Sequence, residues 1–72
     1  MISIFSTDIK NTNTARSIVK DLVGICSGSK INFYFEEDDT LLRFEADQFD
    51  AKKIITIVGV HGHLCQELPI DL

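Results

Sequence analysis

The run His61-Gly62-His63-Leu64-Cys65 sets two imidazoles and a thiol at every second residue. In extended backbone that spacing sends all three side chains to one side of the chain. Nitrogen and sulfur donors of this kind suit zinc or copper, so His61, His63 and Cys65 are candidate metal ligands, one short of the four that a structural zinc normally takes. The same residues also have readings without metal. Histidines near a helix end gain from the negative end of its dipole, and a cysteine within a strand packs as a small hydrophobe.

Two other polar runs invite a chemical reading. Glu36-Glu37-Asp38-Asp39 is a concentration of carboxylates that attracts hard cations, yet it lacks the glycine and the alternating spacing of a calcium loop. A solvated hairpin tip explains it without a ligand. Asn11-Thr12-Asn13-Thr14 carries more uncharged polar side chains than a helix start requires, with Thr12 or Asn13 expected to cap the first turn. The chain contains no Gly-x-Ser-x-Gly elbow, no phosphate-cradling glycine loop and no cysteine in a recognisable catalytic context, and it is not expected to be an enzyme.

These residues must be positioned by elements whose periodicity is visible in the chain. Residues 2–9, with Ile2, Ile4, Phe5, Thr7 and Ile9, read as a first strand. Ala15, Ile18, Val19, Leu22 and Cys26 then share one face of a helix, which Ser27-Gly28-Ser29 stops. Ile31, Phe33 and Phe35 alternate with Asn32, Tyr34 and Glu36, and Leu42, Phe44 and Ala46 alternate with Leu41, Arg43 and Glu45, making a hairpin around the acidic turn. Asp50 is expected to cap a second helix with a stripe of Ala51, Ile54, Ile55 and Val58, ended by Gly59 and Gly62. Leu64 to Pro69 reads as a last strand, with Pro69 at its end or edge.

The resulting order, βαββαβ, is the ferredoxin-like arrangement of two split βαβ units. Right-handed crossovers place both helices on one face of a four-stranded antiparallel sheet. Asn32, Tyr34, Leu41 and Arg43 are then expected on the open face, where Tyr34, Leu41 and Arg43 are candidates for a partner-binding patch.

Composition bounds what such a fold does. With 72 residues, 44% hydrophobic and 25% charged, the chain suits one small domain, residues 1–72, near the lower limit for a self-sufficient core. A net charge of -4 with scattered basic residues argues against nucleic acid or anionic lipid as a partner. The longest apolar run, Ile54 to Val60, is too short to span a bilayer, and Met1-Ile2-Ser3-Ile4-Phe5 has no features of a signal peptide. The cytoplasm is the expected compartment, and there Cys26 and Cys65 are expected to stay reduced. Cys26 falls at the far end of the first helix, about 20 Å from the metal candidates at 1.5 Å per residue.

This order and spacing resemble the heavy-metal-associated domains, the family of small copper and zinc chaperones and metal-ATPase N-terminal modules, over nearly the whole chain. In that family the first strand runs into a Cys-x-x-Cys loop, in some members as Thr-x-Ile-x-Cys-x-x-Cys. The corresponding run here is Thr7-Asp8-Ile9-Lys10-Asn11-Thr12-Asn13-Thr14. The family's later Ile-Ile-x-x-Ile/Val-x-x-x-Gly-Tyr/Phe pattern is similar to Ile54-Ile55-Thr56-Ile57-Val58-Gly59-Val60-His61-Gly62-His63. The resemblance implies that Asn11 and Thr14 stand where two thiolates would be and that His63 stands where an aromatic often flanks the metal. An amide and a hydroxyl are hard, neutral donors with little affinity for Cu(I), so the soft-metal site is not expected at that loop. The resemblance therefore leads to the expectation of a non-catalytic protein-interaction or regulatory module without a cofactor, whose acidic surface suits a partner with a basic patch. The competing expectation is a copper or zinc carrier or sensor using His61, His63 and Cys65.

Overall fold

Branched and aromatic residues at alternate positions build strands, and apolar residues three and four apart build one-sided helices. In the computed structural model, which describes residues 1–69, these patterns become β1 (Ile2–Thr7), α1 (Thr12–Ile25), β2 (Lys30–Phe35), β3 (Thr40–Glu45), α2 (Ala51–Val60) and β4 (Cys65–Leu68). Residues 70–72, the end of the expected domain, lie outside the described residues. The strands form one four-stranded sheet in the order β2-β3-β1-β4, and every neighbouring pair is antiparallel. The fold is the expected ferredoxin-like one.

Register decides which side chains meet the helices. Phe5 stands opposite Leu42, Ser3 opposite Phe44 and Thr7 opposite Thr40, and all six are buried. Ala15, Ile18 and Leu22 of α1, with Ile54 and Val58 of α2, close over them to complete the core. Full burial of a Leu, Ile or Phe side chain is worth roughly 1.5–3 kcal/mol, so this layer dominates stability. Phe49, in the segment before α2, meets Phe44 edge-on with ring centroids 4.7 Å apart, extending the core beneath the second helix.

Element boundaries differ from expectation where a side chain intervenes. β1 ends at Thr7 rather than Ile9, because the chain turns there and the Ile9 amide approaches Thr7 Oγ1 at 3.4 Å. Ile9 is nevertheless fully buried, a loop residue inserted into the core. α2 continues through Gly59 to Val60, and Gly62 alone supplies the positive φ, +83°, that ends it. Among the described residues no helix is long and apolar enough to cross a membrane.

Candidate functional site

Three connections gather at one end of the sheet: the β1–α1 loop, the β2–β3 hairpin and the α2–β4 turn. The pairings Thr7 to Thr40 and Thr7 to Cys65 fix this, since both partners stand at the starts of their strands. A buried hydroxyl relay holds the first connection in place. Thr7 Oγ1 donates to the Thr40 carbonyl at 2.9 Å, and Thr40 Oγ1 donates to the Ile9 carbonyl. Both threonines are buried, so their hydroxyls must find partners there, and they find them in the backbone of this loop and its neighbouring strand.

Asn11 is the N-cap of α1, where Thr12 or Asn13 was expected. Its backbone is extended, and its Oδ1 accepts from the amides of Asn13 at 2.7 Å and Thr14 at 3.4 Å. An asparagine amide reaches the second and third free N–H groups of a helix from just outside it, whereas Thr12 and Asn13 already lie inside the first turn. Asn11 and Thr14 therefore sit side by side at the helix start, and the contact they share is that cap.

His61, His63 and Cys65 are not brought together. Two-residue alternation requires extended backbone, but His61-Gly62-His63 is a helix ending: the Gly62 amide donates to the Gly59 carbonyl at 2.9 Å and the His63 amide to the Val58 carbonyl at 3.2 Å. That pair of bonds around a left-handed glycine is the Schellman motif. Gly62 was the residue that signalled it. Beyond this turn the two imidazoles part. His61 Nε2 lies 2.8 Å from Asp21 Oδ2 on α1, while His63 Nδ1 lies 3.0 Å from Asp8 Oδ1 in the β1–α1 loop. Among the described residues no group of three or more His, Cys, Asp or Glu side chains is placed to hold a metal ion.

Cys65 packs against the core, on the helix-covered side of the sheet opposite Thr7. Burial, and then the charge of Glu67, push its thiol up from 9.0 to about 11, so the thiolate needed by a soft metal is disfavoured. Asp8 moves the other way. The Leu64 amide, donating to Oδ1 at 2.9 Å, holds its carboxyl below the usual 3.8 against a partial desolvation, and His63 adds to the lowering. Neither Asp8 nor Asp21 was singled out in the sequence, because each meets its histidine across a separation that no local spacing encodes.

The opposite face of the sheet carries no helix. One row runs Tyr34, Leu41, Ser6, Gln66 and the next Asn32, Arg43, Ile4, Leu68. Tyr34 is 48% exposed and Leu41, Arg43, Ile4 and Leu68 are half-buried, so a mixed strip crosses all the strands, with Tyr34, Leu41, Ile4 and Leu68 standing among Ser6, Asn32, Arg43 and Gln66. The acidic hairpin borders it, with Asp39 Oδ2 accepting from Ser6 Oγ at 2.8 Å. On the helical side, α1 stops short of covering the outer strand, and Thr12, Ala15, Arg16 and Val19 face Phe33 and Phe35 across an apolar groove of about 250 Å³.

The chain thus defines a ferredoxin-like α+β domain whose α2–β4 turn is tied by two histidine–carboxylate contacts, one to α1 and one to the β1–α1 loop. No family model matches it, and no curated protein is significantly similar.

Proposed function

We propose that the protein is a non-catalytic interaction module, related in pattern to the heavy-metal-associated domains, that recruits a protein partner to its open sheet face. The observation that carries this reading is that Tyr34, Leu41, Ile4 and Leu68 stand with Arg43 on a face that neither helix covers, interleaved with Ser6, Asn32 and Gln66. The hairpin Glu36 to Asp39 at its edge favours a partner with an apolar centre and basic residues around it. The cytoplasm is the compartment that goes with this reading, and there Cys26 and Cys65, both free, stay reduced. Asn11, engaged as a helix cap, and Cys65, held as a thiol in the core, give the metal-carrier alternative less support.

The test is retention of host proteins on the immobilised domain, with Tyr34→Ser/Leu41→Ser run in parallel. Polypeptides held by the native face and lost from the variant support the reading. Identical sets on both columns overturn it. Titration with Cu(I) and Zn(II), followed through the imidazole resonances, addresses the alternative: saturable shifts confined to residues 10–15 and 61–65 would replace the interaction module by a metal carrier.

A further inference from the structure

The two edges of the sheet are built differently. β4 has only four residues, turns the Glu67 carboxylate onto the helix-covered side, where it accepts from Ser3 Oγ at 2.8 Å, and is followed by Pro69. A short strand, an inward charge and a proline are devices that keep an edge from pairing. β2 has none of them. It is six residues long, its backbone is unbroken by proline or glycine, and its helix-side residues are Ile31, Phe33 and Phe35, with Phe35 48% exposed.

We infer that β2 is a self-association edge, pairing antiparallel with β2 of a second copy about a two-fold axis at Phe33. Three features of the strand agree on that register. The first is hydrogen bonding. The Glu36 amide donates to the Asp39 carbonyl, so residues 36, 34, 32 and 30 direct their backbone groups at β3, and Ile31, Phe33 and Phe35 direct theirs outward. An axis at Phe33 matches Phe33 with itself and Ile31 with the other copy's Phe35, so every outward donor and acceptor of the strand is satisfied.

The second is the pleat. Residues directly opposite must share a face, and this register aligns Ile31, Phe33 and Phe35 with one another on the helix side and Asn32 with the other copy's Tyr34 on the open side. The third is charge. Lys30 falls opposite the other copy's Glu36, twice by symmetry, whereas an axis one residue later would set Asn32 against Glu36 and Lys30 against Asp38, in the turn beyond the strand. The groove between α1 and β2 then receives the aromatic side chains of the other copy, which accounts for apolar surface that α1 leaves open. This edge is separate from the open face, which stays exposed in the pair.

Sedimentation velocity over a concentration series and residue-resolved amide exchange test the inference together. The expected result is a monomer–dimer equilibrium, with the Ile31, Phe33 and Phe35 amides gaining protection as concentration rises and those of Cys65 and Glu67 unchanged. Lys30→Glu and Glu36→Lys, both at exposed positions, each weaken the dimer about tenfold, and the double exchange restores it. A monomer at every concentration overturns the inference, as does protection that develops on β4 or a double variant no tighter than the singles. None of these outcomes depends on whether the open face binds a partner.

Discussion

Asp8 Oδ1 lies 3.0 Å from His63 Nδ1 and 2.9 Å from the Leu64 amide nitrogen, so one carboxylate oxygen ties the β1–α1 loop to the turn that enters β4. Because the folded carboxyl titrates below 3.8, the stabilisation it gives is complete above that value and disappears as pH falls through the folded one. Asp8→Asn should therefore flatten the acid side of the stability profile. Urea midpoints measured between about pH 2 and 6 check this, and parallel profiles for the two proteins would show that the contact contributes nothing.

Asn11→Ala should cost about 1 kcal/mol, since two first-turn amides lose their acceptor, and Asn11→Asp, an equally good cap, should leave stability nearly unchanged. For a domain of this size the alanine variant corresponds to a fall in Tm of about 4–8 °C. Thr12→Ala, one residue inside the helix, should be close to neutral. Calorimetry on the three variants distinguishes the observed cap from the alternatives.

The Cys65 thiol should react slowly with a disulfide reagent near neutral pH, and the rate should climb when the protein is unfolded. A folded value raised to about 11 from 9.0 means that stability is fully present below 9.0 and declines as pH rises towards 11. Cys65→Ser should remove that decline. Equal thiol reactivity in native and denatured protein would contradict the packing described for this side chain.

Phe44→Ala should destabilise by about 3–5 kcal/mol, a large share of the roughly 4–10 kcal/mol expected for a domain of this length. Phe35→Ala in dilute solution should cost less than about 1 kcal/mol, although the two residues follow the same alternation. The difference is packing: Phe44 is fully buried against Phe49, and Phe35 is 48% exposed. Chemical denaturation of both variants gives the comparison directly.

The elements could be read in advance because each announces itself locally. Ile31, Phe33 and Phe35 repeat every second residue, and Ala15, Ile18 and Leu22 repeat at helical spacing, so the order βαββαβ needs only neighbours in sequence. The loop end is different in kind. Asp8 and His63 meet across 55 residues and Asp21 and His61 across 40, distances over which no periodicity carries information. The His61 to Cys65 run departs from the expected alternation for a related reason: alternation has meaning only in a strand, and a glycine that closes a helix converts the same letters into a turn. Phe35 illustrates the remaining gap. Its pleat position is written in the sequence, but how far α1 reaches across the sheet is settled by packing.

The strand order also carries a consequence for how the chain assembles. β1 is the first strand in sequence, yet it lies inside the sheet, between β3 and β4. Its second flank is filled by β4, and with β1 already joined to β3 the loop that this pairing closes is the connection through α2, from Glu45 to Cys65. Without β4 the backbone groups of Ile4 and Ser6 that bond it would form a second open edge. Four residues of β4 therefore keep an interior strand from becoming an edge.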